Sequence, residues 1–133
     1  MYTPIEWQDK YSVGIKEIDD QHMSLLKIIN KLMNEQQGEF ESKQFSETIP
    51  SLIHYAYTHF ATEERYMAQA NFPGQQKHIL EHIDFIMKVL SLAMKATDGN
   101  RESRLELIRF LNTWFSSHVL GIDRQYIPYL TVK

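Results

Sequence analysis

The sequence predicts an all-α protein: an up-down-up-down antiparallel four-helix bundle with a non-helical N-terminal arm. Three observations carry that expectation. Apolar residues recur at spacings of three and four in four separate stretches, short turn-forming clusters divide the stretches, and no segment alternates as a half-buried strand would. With 133 residues, 43% of them hydrophobic, the chain suits a single domain of ordinary core size, with residues 1–17 as the arm and 18–133 as the bundle and a short C-terminal segment.

The arm contains Pro4 and Gly14 and is expected to pack on the bundle through Trp7 and Tyr11. The first helix, over residues 18–33, places Ile18, His22, Leu25, Leu26, Ile29, Leu32 and Met33 on one stripe. Asp19 and Asp20 suit its first turn, where carboxylates oppose the positive end of the helix dipole, and Gln36-Gln37-Gly38 is a plausible stop. A second helix starts somewhere between positions 42 and 51 and runs to about 70, with Leu52, Ala56, His59, Phe60, Glu63 and Met67 on one face. Pro50 is comfortable in a first turn but would kink or interrupt a helix begun at Ser42. Asn71-Phe72-Pro73-Gly74 reads as a turn, and a third stripe follows with His78, His82, Phe85, Ile86, Val89 and Ala93. Asp98-Gly99-Asn100 is the next turn. The fourth stripe, Leu107, Ile108, Leu111, Trp114, Phe115 and His118, runs to a stop around Gly121, and a short turn is expected before Pro128.

Composition narrows the function. A formal charge of −3 with 23% charged residues matches neither a disordered tail nor a basic nucleic-acid binder. The absence of cysteine removes disulfides, thiolate nucleophiles and sulfur-ligated metals, so a metal site must use nitrogen and oxygen. The N-terminus lacks a positive leader and an apolar core, and no apolar run approaches the roughly 20 residues that span a bilayer. A soluble, cytoplasmic monomer without nucleic-acid or membrane partners is expected.

The informative feature is that ionisable residues fill stripe positions where Leu or Ile would be ordinary. His59 and Glu63 lie one turn apart on one face, as do His78 and His82. With His22 on the first stripe and His118 on the fourth, every helix brings imidazole inward. A single histidine on an apolar face is usually a core residue satisfied by local hydrogen bonds. Five of them plus Glu63 are harder to account for that way, because burying so many polar groups without a cation costs several kcal/mol unless each finds a partner. His54 turns roughly 140° away from His59 and is assigned to the surface, and Glu64, rotated by about 100° from Glu63, is expected to be solvated. Asp123 follows His118 by five residues. A continuing helix would turn it away from the site, whereas a break at Gly121 would swing it back beneath the bundle, and rotation alone leaves both open. Five imidazoles and two carboxylates exceed the needs of one ion and suit two, with a carboxylate bridging, and neutral imidazole favours iron or late divalent ions over magnesium or calcium.

Four short motifs stand in order at helix-length intervals: His22 within Asp-Asp-Gln-His, the run His59-Phe60-Ala61-Thr62-Glu63-Glu64, the pair His78-x3-His82, and His118-x4-Asp123. Together they resemble the hemerythrins, specifically the single-domain bacterial kind, over almost the whole chain, including Trp7 and Val13-Gly14-Ile15 of the arm. The resemblance implies two irons per chain. One would be held by His78, His82 and His118 and the other by His22 and His59, with Glu63 and Asp123 bridging beside an oxo or hydroxo group. The iron with two histidines would keep an open position for dioxygen. Leu25, Phe60, Trp114 and Phe115 would line that side with apolar surface and exclude water. The implied function is reversible oxygen binding without enzymatic turnover, for carriage, storage or delivery to a protein recipient. The lack of any Glu-x-x-His sequence separates the chain from ferritin-like oxygen-activating bundles. Two alternatives compete: a sensing module acting on a partner in trans, and a zinc hydrolase using His78-x-x-Glu81-His82. The hydrolase reading leaves His22, His59, Glu63 and His118 unexplained.

Overall fold

The computed structural model describes residues 5–37, 42–96, 101–119, 121 and 125–131. Four long helices form the bundle: α1 Lys16–Gln37, α2 Ser42–Gln69, α3 Gln75–Ala96 and α4 Arg101–Trp114. Each packs on its neighbours in sequence, and α1 closes the ring against α4. No strand occurs among the described residues. A short helix, α5 Ile127–Thr131, follows. Among the described residues no helix is long and apolar enough to cross a membrane. The positions expected for two turns, at Gly38 and at Asp98-Gly99-Asn100, lie outside the described residues.

Several elements differ from the sequence expectation for identifiable reasons. α1 begins at Lys16, two residues into the expected arm, because the arm itself organises its start. Asp19 accepts hydrogen bonds from the Val13 amide at 2.8 Å and the Ser12 hydroxyl, so it caps the incoming chain as well as opposing the dipole. The arm is not wholly irregular either, since Asp9–Tyr11 form a 3-10 turn. Further back, the side-chain amide of Asn30 grips Ile5 twice, accepting from its N–H and donating to its carbonyl, both at 2.8 Å. Trp7 meets Tyr11 edge-on, and Tyr11 meets Phe115, at centroid distances of 5.5 and 5.3 Å. The arm therefore packs through Trp7 and Tyr11 as expected.

Pro50 lies inside α2. It is exposed, so water can take the carbonyl that its missing N–H leaves unbonded within the helix. At its other end α2 closes in a Schellman motif. Asn71 adopts φ 53°, its N–H donates to the Ala68 carbonyl, and the Phe72 N–H reaches back to Met67. α4 also ends early: its α-helical turns stop at Trp114, and Phe115–Val119 wind as a π-helical segment. Gly121 then fits a tight approach, because a Cβ there would stand 2.6 Å from the Ser117 carbonyl oxygen. The turn expected before Pro128 includes Gly121 and Tyr126, and α5 follows with Pro128 in its first turn, where a missing N–H costs nothing.

The apolar interior is divided in two. A large cluster runs along the bundle and includes Leu25, Leu26, Ile29, Leu52, Phe60, Phe85, Leu92, Leu107 and Phe115. A smaller one, Val13, Ile18, Met67, Phe72 and Tyr126, gathers the arm, the start of α1, the end of α2 and the chain just before α5. Between them lie the histidine-bearing turns. Gly14 serves the bend into α1 with φ 79°, and a Cβ there would meet nothing within 4 Å. Gly14→Ala should therefore cost only the left-handed backbone penalty, about 1 kcal/mol, or roughly 4 °C in a thermal melt. An unshifted midpoint would show that the bend is not strained for an L residue.

Candidate metal centre

Helical periodicity delivers the site one turn at a time. His22 comes from α1, His59 and Glu63 from α2, His78 and His82 from α3, and His118 from the π-helical segment after α4. All six are buried, Glu63 and His22 to 0% exposure. The geometry sorts them into two groups that share one member. Donor atoms of Glu63, His78, His82 and His118 lie within 4.8 Å of one another, and so do those of His22, His59 and Glu63.

Glu63 is the hinge of this arrangement. Its Oε1 stands 3.1 Å from His59 Nε2, 3.3 Å from His82 Nε2 and 4.0 Å from His118 Nε2. Within the smaller group, His22 Nε2 and His59 Nε2 are 3.2 Å apart. The other carboxylate oxygen, Oε2, accepts a hydrogen bond of 2.6 Å from the hydroxyl of Tyr126, itself fully buried. A carboxylate oxygen has two lone pairs, so this bond leaves Oε2 able to take a further partner.

The outward ring nitrogens are held too. His59 Nδ1 donates to Gln21 Oε1 at 2.6 Å, and the same amide donates to Thr62 Oγ1 at 3.0 Å. His82 Nδ1 donates to Glu64 Oε2 at 2.9 Å. Because both acceptors require the proton on Nδ1, the lone pair of each neutral ring sits on Nε2, the atom that faces Glu63. This is the support that orients a metal-ligating histidine and sets its tautomer. Ring faces are fixed by stacking: Phe60 on His82 at 3.8 Å and 5°, Trp114 on His118 at 4.0 Å and 13°, and Tyr55 on His59 at 5.4 Å and 16°.

The donor set fits a metal. Six buried donors with no thiolate, arranged in two groups around one shared carboxylate, match the chemistry of imidazole-favouring ions such as iron. Cations bound at the two groups would offset the desolvation of that many polar side chains.

Most sequence-predicted residues meet here, and the exceptions are specific. Asp123 lies outside the described residues. His54 is exposed, as its rotation required. Glu64 corrects the sequence expectation: its side chain is only 33% exposed and bonds His82, because a glutamate rotated to the flank of the stripe is long enough to reach back to the ring on α3. Phe60 and Trp114 lie flat against His82 and His118 of the larger group, while Leu25 and Phe115 are in the large cluster. Glu81, the general base of the hydrolase alternative, belongs to neither donor group among the described residues. Sequence reasoning missed Gln21, Tyr55 and Tyr126. Gln21 is flagged only by its place beside His22, and Tyr126 sits beyond the helical stripes, where no periodicity points to it.

Fold and site together define a helical-bundle, non-haem metal-binding protein with a histidine-rich, carboxylate-linked centre. Comparison with known proteins makes this specific. Residues 13–130 match the hemerythrin HHE cation binding domain, and the chain belongs to that family. It is 35% identical to a bacteriohemerythrin of Clostridium acetobutylicum, covering 91% of this chain and 97% of that one. A myohemerythrin of Riftia pachyptila is 30% identical, with 93% of this chain and 92% of that one covered. A crystal structure of wild-type hemerythrin superposes with a TM-score of 0.84 at 23% identity, covering 98% of this chain and 100% of that one, which shows the shared fold.

Tyr126→Phe removes the donor to Glu63 and leaves a buried carboxylate oxygen short of one bond. Metal-free protein carrying it should lose about 1–3 kcal/mol, read as a fall of roughly 4–10 °C in the circular-dichroism melt. A melt equal to that of the unaltered chain would remove this bond from the fold.

Proposed function

We propose that the protein binds dioxygen reversibly at a pair of irons, for carriage, storage or delivery, and is a binder and not an enzyme. The observation that carries the reading is Glu63, a buried carboxylate common to two histidine groups of unequal size. In this reading His78, His82 and His118 would hold one iron and His22 and His59 the other, with Glu63 common to both and Asp123 a further carboxylate donor. The smaller histidine group would leave room for a small molecule. Iron, when bound, supplies the electrons and the open coordination that take up dioxygen and give it back.

The chain's own residues do the rest. Gln21 and Glu64 keep the imidazole protons on the outward nitrogens, Tyr126 holds the carboxylate, and the stacked rings of Tyr55, Phe60 and Trp114 prevent His59, His82 and His118 from turning. Leu25, one turn after His22 and 1% exposed, stands with Phe60, Trp114 and Phe115 in an apolar surround. Such a surround excludes the water and protons that would turn reversible binding into oxidation. Histidine-rich, carboxylate-poor donors also disfavour the higher iron oxidation states on which oxygen activation depends.

The test is an optical spectrum of reduced, iron-loaded protein before air, in air, and after oxygen is withdrawn. A visible band that appears and then reverses is expected, whereas a band that never reverses, or one zinc and no colour, overturns the reading. The ligand assignment is read separately by metal analysis. His82→Ala should lose at least one iron per chain and the oxygen-dependent band, and His54→Ala should keep both; equal losses would refute the division between inward and outward histidines. Leu25→Asn should raise the autoxidation rate several-fold, and a rate equal to that of the parent would take Leu25 out of the oxygen pocket.

A further inference from the structure

The outward face of α3 is unlike that of its neighbours. Facing the bundle, the helix buries His78, His82, Phe85, Val89 and Leu92. Facing away, it carries Leu80, Ile83, Met87, Leu90 and Met94 at 58%, 48%, 64%, 44% and 72% exposure. The solvent side of a bundle helix is ordinarily polar. On α1 the exposed positions include Asp20, Ser24, Lys27 and Lys31, and on α4 Glu102, Glu106, Arg109 and Thr113. Among the described residues the other exposed large apolar side chains are two scattered tyrosines, Tyr57 and Tyr129.

The spacing of the five residues is three, four, three, four, the seam by which one helix packs knobs-into-holes against another. It is two residues wide, narrower than the broad apolar face, usually with aromatic residues, that seats a helix in a membrane interface. Typical whole-residue areas scaled by these exposures give a patch of about 600 Å², at the upper end for a monomer. Two such patches face to face remove at most about 1,200 Å², the lower bound of a specific interface.

We propose that this face is the contact of a homodimer, in which a second copy of the chain lays its α3 antiparallel against the first. The series reads nearly the same in both directions. In the antiparallel register Leu80 meets the partner's Leu90, and Ile83 meets the partner's Met87. Asp84 and Lys88, both exposed, flank the seam on one side, and the two-fold axis brings Asp84 of each copy beside Lys88 of the other. The seam is thus complementary to itself in shape and charge. The proposed dimer stands against the monomer expected from the sequence. The histidines face inward from the same helix, so the dimer leaves the metal centre within each copy intact.

Sedimentation velocity of the iron-loaded protein from about 1 to 300 µM tests the proposal. The mass is expected to rise from 15.8 kDa toward twice that value, with a dissociation constant inside the range, as suits an interface of minimal size. Met87→Glu should hold the protein at the single-chain mass with helicity and iron content unchanged. Asp84→Lys and Lys88→Asp should each weaken association roughly threefold or more, since two symmetric pairs are lost, and the double exchange should restore it. A single-chain mass across the whole range, a dimer that survives Met87→Glu, or a double exchange without rescue overturns the proposal. So does flotation of the single-chain species with phosphatidylcholine–phosphatidylglycerol vesicles, which would assign the seam to a membrane surface.

Discussion

A carboxylate with no exposure to solvent, placed between imidazoles from three other segments, is the constraint that the rest of this structure serves. Glu63 works only if α2 presents it at the height where α3 and the segment after α4 present His82 and His118, and where His59 follows one turn earlier. A slip of one residue on any helix rotates its donor by about 100° and takes it out of reach. Helix register, which in a purely apolar bundle can drift at small cost, is pinned here by polar groups that cannot tolerate being left unmatched.

Position along the bundle follows from the same requirement. The polar layer separates two apolar clusters, and each cluster has its own task. The large one supplies most of the burial that drives folding. The small one uses the arm, Phe72 and Tyr126 to close the other side of the layer. The Schellman motif of α2 fits this division, since its return bond joins Phe72 to Met67, both in the closing cluster. Asn30 and Asp19 keep the arm against α1.

What could be read from the sequence was whatever repeats. The spacing of His59 with Glu63 and of His78 with His82, and the place of His22 and His118 on apolar stripes, brought all six donors to one interior, because a histidine at a leucine position has nowhere else to point. What could not be read depends on single contacts. Glu64 looks solvated by rotation, yet a flexible side chain defeats a rule about Cα positions. The π-helical segment that carries His118 has no periodic signature of its own, and such segments tend to occur at functional sites where α-helical winding would misplace a side chain. Tyr126 comes after Gly121, where periodicity has already lapsed, and only the folded chain shows that its hydroxyl ends at Glu63. Pro50 argued against a helix begun at Ser42, but on an exposed turn its lost hydrogen bond is inexpensive.

The bond from Tyr126 to Glu63 also makes the centre answerable to chain that supplies none of its six histidine and glutamate donors. Tyr126 belongs to the smaller cluster with Val13, Ile18, Met67 and Phe72, and its hydroxyl ends on the shared carboxylate. A substitution that loosens that cluster therefore reaches Glu63 through one hydrogen bond, and the packing of the arm and of the chain before α5 can tune the site without altering a single ligand.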